Sequence, residues 1–168
     1  MKMLKKMAAL LLVGVMALAL LTACGDEAPA KSTAEQAEDA MTIAINQSMG
    51  TDFKNDESLK NAARKMIADN VGEDGKVEKF YDQIEGGVCF ILVTRDANDE
   101  KAVAMGFTNE QVAAMKDPAF TQAFVEAFRQ TFGVKDNVKN IKAFGVGAVT
   151  KGDKTYVAVA VTAIQDAQ

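Results

Sequence analysis

Two cysteines, three serines and 23 acidic residues are what this 168-residue chain offers for nucleophilic or acid–base chemistry, because it contains no histidine. Without imidazole there is no Ser–His or Cys–His pair, no histidine general base and no nitrogen ligand of the usual kind for zinc, copper or haem. Cys24 closes an uncharged run over residues 7–23 and is followed by Gly25-Asp26-Glu27. Its thiolate can form a thioether, and the small Thr22 and Ala23 leave the peptide bond before it open to a peptidase. Cys89 lies in the apolar run 87–93 and reads as a buried strand residue acting as a small hydrophobe. No neighbouring base is available to activate it.

None of Ser32, Ser48 and Ser58 stands in a G-x-S-x-G turn. Asp96, Asp99 and Glu100 cluster beside Asn98, but an EF-hand would need Gly where Lys101 stands and Glu where Phe107 stands. A solvated acidic turn is the reading, and no metal ligand or cofactor is assigned. Gly145-Val146-Gly147 lacks the third glycine of a dinucleotide fingerprint and runs into strand-like sequence, so close backbone packing or a bulge accounts for it. Phe120, Phe124, Phe128 and Phe132 recur every four residues. Such a stripe packs into a core; the sharper alternative makes Phe120, Phe124 and Phe128 one wall of an apolar ligand groove.

The elements that must position these groups begin with a leader. Lys2, Lys5 and Lys6 precede the apolar run, which is short for a spanning helix and has the layout of a secretory signal. Leu21-Thr22-Ala23-Cys24 resembles the lipobox of bacterial lipoproteins. That resemblance implies that residues 1–23 are removed, that Cys24 carries a diacylglyceryl group, and that its acyl chains hold the protein in the membrane. Two or more chains suffice for stable anchoring. The implied location is the cell envelope, on the outer face of the cytoplasmic membrane or at an outer membrane.

Removing residues 1–23 takes three lysines and no acids, leaving 16 basic against 23 acidic residues and a charge of −7. That balance opposes broad contact with nucleic-acid phosphates or anionic headgroups, so lipid rather than a basic face must hold the chain. With Cys24 acylated, Cys89 has no partner for an intramolecular disulfide.

Residues 24–34 read as the acylated cysteine and a tether containing Pro29, and residues 35–168 as one domain. Thr33 and Gln36 match a capping box for a helix over 34–48, and Asn55 or Asp56 caps a second helix with its stripe at Leu59, Ala62, Ala63, Met66 and Ile67. Val77, Phe80, Tyr81 and Ile84 predict a short third helix. Residues 88–95 predict a strand covered on both faces, and 101–107 a weaker edge strand. Thr108 with Gln111, and Asp117 before Pro118, start two more helices, the second stopping at Gly133. Residues 143–150 and 155–164 flank Lys151-Gly152-Asp153-Lys154 as a hairpin. The order predicts an α+β fold, an α-β-α sandwich with a small antiparallel sheet of three or four strands flanked by helices.

The order and several short patterns resemble the CAP superfamily, the cysteine-rich secretory and pathogenesis-related proteins. The matching pieces are the helix at 59–68, Asp74-Gly75 with Gln83-Ile84-Glu85-Gly86-Gly87, and Asn140-Ile141 with Phe144-Gly145-Val146-Gly147 before the closing hairpin. The resemblance implies an α-β-α sandwich and an extracytoplasmic binding role. The family's cavity histidines are absent, as is a glutamate from the middle strand, so its metal chemistry is not implied here.

The function expected is a membrane-anchored lipoprotein whose domain binds rather than catalyses, with an envelope protein, a glycan or a small ligand as partner and no nucleic acid. A carboxylate-based cell-wall hydrolase is an alternative, since acids far apart in sequence can meet in a cleft. A carrier of a small apolar ligand is the other.

Overall fold

Ser32 starts the first helix, α1 (Thr33–Met49), by accepting a hydrogen bond from the Glu35 N–H at 3.2 Å, while the Glu35 carboxylate takes the Ser32 N–H at 2.8 Å. The box thus sits one residue before the expected Thr33–Gln36 pair. Glu35 brings a full negative charge to the positive end of the helix, and Gln36 Nε2 donates instead to the Lys31 carbonyl at 3.0 Å. Ala37, Ala40, Met41, Ala44 and Ile45 are buried on one face, and Gly50 ends the helix at φ 66°. These coordinates are a computed structural model that describes residues 30–95, 102–132 and 141–163. The chain divides into two compact units, Met1–Ala30 and Lys31–Gln168, and the described elements all belong to the second.

The second helix, α2 (Glu57–Asn70), is capped by Asp56, whose Oδ1 accepts from the Leu59 N–H at 3.0 Å. Its far end is closed from a distance: Lys151 Nζ donates to the carbonyls of Ala68 at 3.1 Å, Ile67 at 3.4 Å and Val71. The chain then enters strands β1 (Tyr81–Ile84), β2 (Gly87–Ile91), β3 (Val93–Arg95), β4 (Ala102–Ala104) and β5 (Gly106–Phe107). Helices α3 (Asn109–Ala114) and α4 (Pro118–Phe132) follow, then β6 (Ile141–Lys151) and β7 (Lys154–Ala163). Thr108 and Gln111 form the expected capping box, and Asp117 Oδ1 accepts from the Ala119 N–H at 2.8 Å to open α4.

Strand β7 is the centre of an open five-stranded antiparallel sheet. β6 pairs with it from Ile141↔Ala163 to Lys151↔Lys154, across a two-residue turn in which Gly152 has φ 61°. The other side of β7 is shared: β2 takes Ala158–Thr162, β5 takes Thr155–Tyr156, and β1 lies outside β2. β3 and β4 form a separate two-stranded ladder.

Successive side chains of β6 and β7 point to opposite faces. Phe144, Val146, Ala148, Val157 and Val159 meet Met41 and Ile45 of α1 together with Val112 of α3. Ala158, Ala160, Cys89 and Ile91 meet Ala63, Met66 and Ile67 of α2. The fold is therefore α+β, a sheet between two helical layers, as the element order predicted.

Three expectations need correction. The sheet has five strands, not three or four. The helix expected over 77–84 is instead the approach to β1 and the strand itself, pairing Tyr81↔Phe90 through Ile84↔Gly87. Eight residues are too few to hold a helix on their own, and a ladder with β2 satisfies the backbone there. The single strand expected over 88–95 breaks at Leu92, whose N–H donates to Val157 and whose carbonyl accepts from Met105. The reason is that β5 occupies the remainder of that side of β7.

Candidate functional site

Gly145 and Gly147 set the closest approach in the molecule's helix–sheet contact. A Cβ on Gly145 would fall 2.3 Å from the Lys60 nitrogen, and one on Gly147 would fall 2.5 Å from both the Arg64 nitrogen and the Lys60 oxygen. The backbone of α2 thus lies directly on β6, which accounts for the G-x-G as close packing.

This approach brings Arg64 to Glu38. Arg64 Nε and its terminal nitrogen donate to the two carboxylate oxygens of Glu38 at 2.6 and 2.7 Å, and the Ala148 N–H donates to Oε1 at 2.9 Å. Glu38 is only 3% exposed. Its hydrogen bond and charge raise the Arg64 pKa above that of an ordinary guanidinium. The geometry is bidentate and charge-assisted, with both oxygens engaged. This buried acid is a structural clamp joining α1, α2 and β6, with no oxygen left unengaged to activate a substrate.

Cys89 is buried to 1% exposure, and burial, with a smaller contribution from Asp82, pushes its thiol up to about 11. At neutral pH it stays a protonated thiol, as a small core hydrophobe should. Phe120 and Phe124 stack at 6.4 Å between centroids and pack against the first core cluster. The side chain of Phe128 lies outside the described residues, as do Cys24 and the acidic turn at 96–100. Among the described residues, no group of three or more acidic or thiol side chains is placed to hold a metal ion.

The most open concavity is at the end of the sheet far from the Gly152 turn. A groove of about 970 Å3 is lined by Asp56, Ser58 and Leu59 at the start of α2, Glu85 and Gly86 in the β1–β2 turn, and Lys142, Ala143, Thr162 and Ala163 at the strand ends. Much of its backbone is already paired: the Ala163 N–H donates to the Gly86 carbonyl and the Asp56 N–H to that of Phe144, both at 3.1 Å. Asp56 is also the helix cap. Ser58, Glu85 and Lys142 therefore give the groove its mixed polar character, suited to weak recognition of a polar ligand in the presence of water. Sequence reasoning missed this site because its walls come from four segments, and only the Asp56 cap left a local signal.

No family model, no curated protein and no solved structure matches the chain.

Proposed function

We propose that this chain is a lipid-anchored bacterial envelope protein whose folded domain works by binding rather than by catalysis. The observation that carries it is the coincidence of a basic start, an uncharged run and Leu21-Thr22-Ala23-Cys24. The engaged Glu38, the inert Cys89 and the open groove support the non-catalytic part. A CAP-like descent belongs to the same proposal. What supports it is that β2, β6 and β7 share one antiparallel sheet with helices over both faces. Replacing Cys24 by Ser should abolish incorporation of a fatty-acid probe in the producing cell; continued labelling would sink the anchor.

Asp56 and Glu85 in one groove favour a second reading, a carboxylate-based hydrolase of cell-wall polymers. Asp56 is occupied as a cap, which leaves Glu85 as the group to test. If purified protein releases soluble fragments from cell-wall polysaccharide and Glu85→Gln does not, the hydrolase reading displaces the binding one.

A further inference from the structure

The helix that follows the tether runs along the sheet in a definite sense. Near its start Glu38 meets Ala148, and beyond its end Phe53 sits edge-on to Phe144 at 6.1 Å, held by Asn46, which bonds both the N–H and the carbonyl of Phe53. α1 is therefore antiparallel to β6. Its first residue lies level with the Gly152 turn, while the groove lies at the other end of the sheet, at Lys142 and Thr162.

From Lys142 to Lys151 the strand extends about 30 Å. The eight residues from Gly25 to Ser32 reach about 28 Å at full stretch and span roughly 16 Å on average as a flexible coil. To turn the groove toward the bilayer, this tether would have to run back along the whole sheet, which exceeds its reach.

We propose that the domain has an anchored pole at the Gly152 turn and a free pole at the groove, so that Ser58, Glu85 and Lys142 face away from the membrane. This rests on the anchoring reading above. The groove is then presented to polar ligands arriving from outside the membrane and not to lipid headgroups.

The test uses the full acylated chain in phosphatidylcholine vesicles carrying a nitroxide on a fraction of the headgroups. A thiol-reactive fluorophore is placed at Lys142→Cys or at Asp153→Cys, both exposed positions; buried Cys89 does not compete for it. Glu85→Cys and Lys154→Cys repeat the comparison should either of the first pair fail to fold. Quenching is expected to be several-fold stronger at 153 than at 142. Equal quenching, or stronger quenching at 142, overturns the orientation. Flotation with the vesicles is checked first: protein that does not float removes the anchor and the orientation with it, whereas floating protein with equal quenching removes the orientation alone.

Discussion

The outer edges of β6 and β1 present the same hazard, a row of N–H and C=O groups open to a foreign strand, but the chain treats them by different means. Along eleven-residue β6 the exposed groups are taken up by other elements. Asn55 Oδ1 accepts from the Val146 N–H at 2.7 Å while its Nδ2 donates to the Val146 carbonyl at 3.1 Å, as a neighbouring strand would. The Asp56 N–H serves Phe144 and the Glu38 carboxylate serves Ala148. Four-residue β1 has no such cover among the described residues. It is short, its aromatic flank is exposed at Phe80 and Tyr81, and Asp82 Oδ1 occupies the neighbouring Gln83 N–H at 2.9 Å. A long edge is worth sealing into the core, whereas a short one needs only a charge to discourage pairing.

The contrast breaks most severely if α2 is forced off β6. Gly147→Val should cost about 3 kcal/mol or more, through overpacking against helix backbone that has nowhere to move. Urea unfolding measures it, and a loss under about 1 kcal/mol would remove the close contact from the account. Arg64→Met should follow at about 3 kcal/mol, because it leaves a buried carboxylate without its partner. Adding Glu38→Gln should recover much of that loss, since the amide oxygen still accepts from Ala148 without carrying charge; a double variant no better than the single one would refute the clamp. Asn55→Ala should cost about 2 kcal/mol, for two edge groups of Val146 left without their protein partner.

At the other edge the effect on stability should be the smallest, and the readout different. Asp82→Val should leave the unfolding midpoint nearly unchanged yet promote concentration-dependent association, visible by sedimentation. Lys79 beside Asp82 holds its carboxyl below the usual value of 3.8. A depressed pKa means that its contribution is complete above pH 3.8 and is lost as the pH falls through the lower, folded-state value. The unaltered protein should therefore begin to resemble the variant only in that acid range. Association of the variant no greater than that of the parent at any concentration would show that Asp82 does not guard the edge.

The parts of this architecture that were legible beforehand are those written locally. Asp56, Thr108 with Gln111, and Asp117 before Pro118 mark helix starts within three residues of the groups they cap, and Lys151-Gly152-Asp153-Lys154 marks the turn. β1 was not legible, because Val77, Phe80, Tyr81 and Ile84 carry helical spacing while the pairing that overrides it comes from β2. The edge seal was hidden for a related reason. Asn55 and Val146 are 91 positions apart and Glu38 and Ala148 are 110 apart, so no window of sequence contains both partners. The groove's mixed walls escaped notice in the same way, while the role of Cys89 was plain from its apolar neighbours.

The central position of β7 bears on the order of events during synthesis. The strand to which β2, β5 and β6 all attach is the last element of the chain to be made. Until it arrives the sheet has no middle, β2 has only the hairpin with β1, and the single thiol of the mature chain lacks its lid. Contacts of such long sequence separation delay folding until the chain is complete. A polypeptide that cannot close prematurely remains threadable, which is the condition a translocation channel imposes on its passengers.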